Sequence, residues 1–339
     1  MYWYSPSTKK AFAYKADALL SANDIEFRLA DKYDHFDWLA EPTRSWRDLI
    51  KDRCIQLRDE NKYLRLWYSG GEDSHTILKC FMDNNIPIDE IAMMRCSFTD
   101  PSTCPSALEI NEYAAPFLAA NREALHGANI KFYDIGAKDY AEYMKTYSLL
   151  TSNQIDFRYT CFHQYEKTVF PSMNDIDGVM NIFGVDKPLV DRDDIGYYWY
   201  QMDAVLMNYL SVTDNTPNVV THFYLDSLEI HHKQVYMAVE SHIDGRYNPR
   251  EIHATTSNIG SRDMMPGMER RLMAKSNQDS RADKLRITVR ECIRNRETRH
   301  IYRSYLKAIN GTGLDKSHFN SDNPIFFFKG IKTKKYRVL

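Results

Sequence analysis

The chain has 339 residues, with 44 Lys plus Arg against 46 Asp plus Glu, a length that supports a sizeable core and two domains, or one with large additions. So even a balance sets up no global field toward nucleic acid or membrane, and no apolar run approaches the roughly 18 residues a membrane span requires. Six scattered cysteines without a C-x-x-C pair fit reduced thiols in a cytoplasm better than a disulfide framework or a structural zinc site, and the N-terminus lacks the basic start and apolar core of a secretory signal.

The first fourteen residues carry SPSTKK between two aromatic-rich runs and predict a short hairpin. SWRDLIKDRCIQLRDE then places Trp46, Leu49, Ile50, Cys54 and Leu57 at helical spacing. From Tyr63 an alternation begins. Tyr63 to Tyr68 is strand-like, Ser74 to Asn84 is helical with Ile77, Leu78 and Phe81 on one face, and Ile88 to Arg95 is a second strand. Ala107 to Leu125 reads as one long Ala-rich helix, Ile130 to Ile135 as a third strand, and roughly Tyr140 to Phe170 as helical. Gly178 to Val185 is the fourth strand. This order predicts an α/β fold, a parallel sheet with helices on both faces.

Beyond Asp191 the pattern changes. YYWYQMD, VLMNYLSV and VVTHFYL predict an antiparallel meander, followed by helices at Ser227 to His242 and Asp283 to Lys307. The expected division is 1–58 for the hairpin and first helices, 59–190 for the sheet domain, and 191–339 for an extension of antiparallel strands and basic helices. The closing FFFKGIKTKKYRVL is a basic tail expected to dock through its aromatics.

The seam after the first sheet strand reads Ser69-Gly70-Gly71-Glu72-Asp73-Ser74. Glycines at a strand-to-helix turn let backbone N–H groups face inward and form an anion nest at the positive end of a helix dipole, where phosphate binds. Ser69 and Ser74 add hydroxyl donors, and Asp73 suits a magnesium ion. The alternative reading is a glycine turn whose Asp73 or Ser74 only caps the next helix. Neither the Walker lysine motif nor Gly-x-Gly-x-x-Gly is present.

Ser-Gly-Gly-x-Asp-Ser resembles the signature of the PP-loop ATP pyrophosphatase superfamily, which includes asparagine synthetases, GMP synthetases, tRNA-lysidine synthetases, 7-cyano-7-deazaguanine synthases and sulfonucleotide reductases. The resemblance covers about residues 60 to 135 and implies a Rossmann-like domain that binds ATP with Mg2+ and splits it into AMP and pyrophosphate. It further implies that Ser69, Gly70, Gly71, Asp73 and Ser74 hold the pyrophosphate, with no role for Glu72. Adenine would lie against the end of the second strand, around Met93, Met94 and Arg95, although a Met pair there also reads as core.

Cysteine placement sorts the branches. Cys292, in VRECIRNRE, lacks the Gly and His of a reductase Glu-Cys-Gly-x-His segment. The zinc cluster of the deazaguanine synthases and the C-x-x-C of iron–sulfur thiolation enzymes are missing, and Tyr2 stands where a glutaminase cysteine would. The asparagine synthetase-like branch is the nearest, with ammonia or another amine taken directly. Cys161, beside His163, reads as a persulfide carrier or as a buried small side chain.

Lys187, in GVDKP just after the fourth strand, is a candidate to neutralise the α-phosphate or leaving pyrophosphate, or a surface lysine in a proline turn. Arg158 is a weaker candidate of the same kind. His231, His232 and His242 share one helix without His-x-x-x-His metal spacing, so they read as packed or capping histidines. Between Ser261 and Lys307, thirteen Lys or Arg face six acids, and Arg286, Arg290 and Arg294 recur at i+4. That stripe is either a solvated helix face or a surface for nucleic acid.

The expected function is therefore an AMP-forming, ATP-dependent enzyme that activates a carboxylate or carbonyl for amide or related bond formation, with Asp73 and Lys187 catalytic. A nucleotide- or base-modifying enzyme would suit the C-terminal half. A nucleotide-sensing module that engages nucleic acid through the Arg stripe, or a sulfur enzyme using Cys161, remain as alternatives.

Overall fold

The computed structural model describes residues 2–12, 15–96, 110–135, 178–184, 188–203, 219–243 and 330–338. Lys187, Arg158, Cys161, His163, Cys292 and the stripe of Arg286, Arg290 and Arg294 lie outside them, as do the predicted helices at 140–170 and 283–307 and the strand VLMNYLSV.

The hairpin forms from β1 (Tyr2–Ser5) and β2 (Lys10–Phe12), and β3 (Glu26–Arg28) pairs antiparallel on the other side of β1. Helix α1 (Lys15–Ser21) packs beside it. Helix α2 (Trp46–Glu60) starts where the Ser45 hydroxyl accepts the Asp48 N–H at 3.1 Å, a side-chain cap for one orphan donor. All five residues of its predicted apolar face are buried.

The central sheet has five parallel strands: β4 (Tyr63–Trp67), β5 (Glu90–Cys96), β6 (Asn129–Ile135), β7 (Val179–Phe183) and β10 (Val219–His222), in the order β10-β7-β4-β5-β6. VVTHFYL was expected in the antiparallel meander, and its first four residues instead pair parallel with β7, Val220 opposite Asn181. A run of β-branched residues suits a doubly covered strand as well as a meander, and composition does not fix pairing direction. The predicted Ala107–Leu125 helix is also corrected. Its described part is a π-helical turn at Ile110–Ala114, α4 (Ala115–Ala120) and a 3-10 turn at Glu123–Leu125, with Pro116 in the first turn of α4. Proline has no N–H to continue a helix through that point.

Helix α3 (Glu72–Asp83) follows β4 and packs with α2 against one sheet face. The hydrophobic core there includes Leu64, Leu66, Ile91, Met93 and Ile182 with Leu57, Ile77, Leu78 and Phe81. The other face carries Tyr63, Arg65 and Trp67 of β4, in alternation, and none of these joins that core. The described helices that pack against β4 thus lie on one face.

A second small sheet, β8 (Leu189–Asp193), β9 (Gly196–Tyr200) and β11 (Tyr336–Arg337), is antiparallel with β9 central. Helix α5 (Leu228–Ile243) packs against both α2 and β8. Tyr336 stacks on Trp199 with centroids 4.3 Å apart and gives its hydroxyl to Asp34 at 3.0 Å, so the basic tail docks through an aromatic. Asp203 anchors the N-terminal elements: it receives Trp3 Nε1 at 2.9 Å and pairs with buried Lys15 at 2.7 Å. No helix among the described residues is long and apolar enough to cross a membrane, and Cys54 and Cys80 are buried free thiols.

His231 lies fully buried on α5 between Tyr33, Trp38 and Trp199, and His232 packs its ring on Tyr236 at 4.9 Å. His242 receives or gives a hydrogen bond with the Tyr197 hydroxyl at 2.6 Å. These are packed histidines. Burial pushes the His231 imidazole down from 6.5 to about 3, and burial, aided by Lys79, pushes His75 on α3 to about 4.

Acid should therefore destabilise the fold earlier than its carboxylates demand. Above about pH 6.5 neither folded nor unfolded chain holds these protons, and stability is complete. Below it the unfolded chain takes up protons that the fold refuses, down to about pH 4 for His75 and pH 3 for His231. Urea unfolding at pH 5.5 should show about 3 kcal/mol less stability from the two together than at pH 7.5. In His231→Phe the pH slope should shrink by about half.

Candidate functional site

The parallel order puts β4 in the middle, with β5 and β6 added to one side and β7 and β10 to the other. The chain's direction of travel reverses between β4 and β7, and the crevice outside the carboxyl ends of strands at such a switch point is where open α/β sheets bind ligands. The Ser69–Ser74 segment leaves β4 at that point.

Its local structure follows from its residues. Tyr68 N–H still donates to Ala92 at 2.8 Å, the last ladder bond before the turn. Gly70 then adopts φ +79°, a left-handed conformation that glycine takes without a Cβ penalty. Gly71 is extended at φ −79°, ψ 163° and stands as the N-cap of α3 without any side-chain cap. The helix begins at Glu72, so Asp73 and Ser74 occupy its first turn and are not its caps. The first intrahelical bond runs from His75 N–H to Gly71 O at 3.0 Å. Helix geometry leaves the N–H groups before it without partners within the helix.

The two serines close the loop on itself. Ser74 Oγ accepts Ser69 N–H at 3.1 Å, lies 3.1 Å from Ser69 Oγ and donates to Gly71 O at 3.3 Å. Ser69 Oγ accepts Gly71 N–H at 3.2 Å. Asp73 is half-buried and carries the loop's one described carboxylate. A second brace flanks the segment: the Tyr68 hydroxyl and His75 Nδ1 are 2.7 Å apart, joining the residues before and after it.

Three residues missed in the sequence hold this loop from outside. Gly184, directly after β7, lies so close that a Cβ would stand 2.9 Å from Ser74 N, 3.0 Å from Asp73 C and 3.1 Å from Ile77 Cδ1. Tyr224, just past β10, donates its hydroxyl to Asp73 O at 2.8 Å and stacks on Trp46 of α2. Its burial, reinforced by the nearby Asp73 charge, raises its phenol well above the ordinary value. His75 is the third. A glycine closing an apolar strand was a visible signal for Gly184; a tyrosine 150 residues downstream offered none for Tyr224.

At the end of β5, Met93 is fully buried and Met94 packs partly buried against the same core. The Arg95 guanidinium is engaged by Asp134, Nε to Oδ1 at 2.5 Å and Nη2 to Oδ2 at 2.7 Å, and by Asn111 at 3.3 Å. Its side chain is thus held by Asp134 of β6 and by Asn111.

The opposite sheet face holds a buried polar set. Arg65 Nε donates to Glu90 Oε1 at 2.7 Å, and Glu90 also accepts the hydroxyls of Tyr63 (3.0 Å) and Tyr133 (2.9 Å) and pairs with Lys131 at 3.0 Å. Burial opposes the Glu90 charge, but Arg65 and these donors overcome it and hold the carboxyl below its usual range. Burial and Glu90 together push the Tyr63 phenol up to about 12. Among the described residues no three His, Cys, Asp or Glu side chains gather as a metal cluster. No protein-family model matches the chain, and no curated protein matches it.

Proposed function

We propose that the chain is an ATP-using enzyme of the PP-loop type, cleaving ATP to AMP and pyrophosphate to activate a carbonyl or carboxylate oxygen. The observation that carries this reading is the position of the Ser69–Ser74 loop: a glycine turn into the N-terminus of α3, at the switch point of a five-stranded parallel sheet. A helix N-terminus with glycine backbone in front of it is suited to a phosphate chain.

The roles follow from the geometry. Gly70 and Gly71 leave room for phosphate against the backbone. Ser69 and Ser74 hold the turn in shape through their mutual bonds and are the hydroxyls nearest a bound anion. Tyr224 and the close-set Gly184 keep the first turn of α3 from shifting. Asp73 fits a magnesium site, because that ion takes one or two carboxylates and fills its remaining positions from phosphate oxygens and water. Bound there, magnesium would neutralise charge on the leaving pyrophosphate. Lys187 follows β7 in sequence and would stabilise the same charge. The Arg286, Arg290 and Arg294 stripe suits a polyanionic substrate.

Purified protein supplied with ATP and candidate acceptors should release pyrophosphate. Asp73→Ala should lower that rate about 100-fold or more, the scale of losing one electrostatic contact to a developing charge. ATP binding without any pyrophosphate above the Asp73→Ala level would leave a nucleotide-sensing module and defeat the enzyme reading.

A further inference from the structure

A turn that receives an anion works only while its amide groups keep one arrangement, and the bonds that shape the Ser69–Ser74 turn from within lie in reach of water. Ser69 is exposed, and Gly70, Gly71 and Asp73 are partly so. Ser69 enters the bonds from its own N–H to Ser74 Oγ, between the two hydroxyls, and from Gly71 N–H to Ser69 Oγ. Water competes for each of these, so each adds little net stability.

The bond between Tyr68 and His75 differs in kind. The two residues stand immediately before and after the turn, and they are only 2% and 6% exposed. Their hydroxyl and Nδ1 are 2.7 Å apart, and whichever of them donates, the bond is directional. Away from water it keeps strength that the exposed bonds lose. Its two ends are also anchored separately. Tyr68 closes β4, with its N–H on Ala92 O of β5 at 2.8 Å. His75 lies in the first turn of α3, and its ring meets Phe117 of α4 at 4.6 Å in a T-shaped contact.

We propose that Tyr68 and His75 are a positioning pair: their bond ties the end of β4 to the first turn of α3 and so sets the opening in which the loop holds the phosphates of ATP. Both residues act through the loop backbone. The nucleotide half of this statement rests on the proposed function; the fixing of the loop does not.

Two measurements on the full chain test the pair: hydrogen–deuterium exchange of the loop amides without ligand, and calorimetric titration with ATP and magnesium. The variants are Tyr68→Phe, His75→Leu, the two combined, and His75→Asn, whose side-chain amide puts a polar partner at the place of Nδ1. Each single apolar variant should speed loop exchange about 10-fold and weaken ATP binding about 5-fold. Both remove the same bond, so the double variant should match either single one and not their product. It should nevertheless regain the unfolding temperature that the single variants lose, because no buried polar group is then left unpaired. Regained stability with a loosened loop is the result that a merely structural bond would not give: two apolar side chains fill the space without fixing a distance. His75→Asn should return exchange and affinity to within about twofold of the native chain.

Unchanged loop exchange in a folded single variant, or a loop that tightens again in the double variant, would overturn the proposal. So would native affinity in a variant whose loop exchange has risen. A native chain that binds no ATP overturns the proposed function, and with it the nucleotide half of this proposal, while exchange in the free chain decides the rest.

Discussion

Gly184→Val is expected to abolish the ATP binding proposed for the loop while leaving the rest of the sheet assembled. The glycine is needed for space. Any Cβ there would sit 2.9 Å from Ser74 N and 3.0 Å from Asp73 C, backbone atoms of the first turn of α3 that have no rotamer to yield. Either β7 or the start of α3 must shift, and the start of α3 is held by the Tyr224 hydroxyl on Asp73 O. Overpacking of this kind costs about 1–3 kcal/mol. For the proposed nucleotide site the consequence is larger, since a misplacement of about 1 Å costs about 100-fold. Gly178→Ala is the matched control: its φ of +78° makes the substitution strained, but nothing lies within 4 Å of the new Cβ. Titration of ATP into the two variants, with thermal unfolding of each, separates a displaced loop from general destabilisation.

The second large effect concerns the charge inside the sheet. Arg65→Met removes the fully buried partner of fully buried Glu90 and leaves Lys131 as its remaining cation; breaking a buried pair in this way costs about 3–5 kcal/mol. Arg65→Met combined with Glu90→Gln should recover most of that loss, because the pair's desolvation disappears with its attraction. The pH dependence should flatten. In the native chain the Glu90 carboxyl is held low, so its contribution is present above pH 4.5 and lost as pH falls below it. Without Arg65 the largest influence holding the carboxyl low is gone while Lys131 and Tyr133 remain, and the loss on acidification through the same region should shrink. Urea denaturation of the four chains at pH 7 and pH 5 reads both effects as a double-mutant cycle.

Much of the frame was written locally. YLRLW, SGGEDS and the apolar spacing of Ile77, Leu78 and Phe81 make a strand, a turn and a helix through short-range rules, and the structure has all three where those rules put them. The apolar face of α2 was likewise complete in its own fifteen residues. What sequence spacing did not carry was pairing across long separations. Val219–His222 joins β7 rather than a meander because a partner strand forty residues earlier offers an edge, and nothing within VVTH records that. The same holds for the site. The loop was legible from its glycines, whereas the residues that brace it, Gly184 and Tyr224, come from strand ends more than a hundred residues away. Arg65 was visible as a charge inside an apolar strand, but its meaning depended on Glu90 and Asn181 arriving from two neighbouring strands.

The strand order has a consequence for the chain as it is made. β4 ends at residue 67, and the strand that covers its second side begins at residue 179. At 5–20 residues per second, synthesis leaves the future centre of the sheet as an open edge for roughly 6–22 s. Exposed edges of apolar strands invite pairing with other chains, and an inward charge is a known deterrent. During that interval Arg65 is the charge on the open edge. The residue that ends fully buried in the sheet is, during that interval, the one charged side chain of its strand.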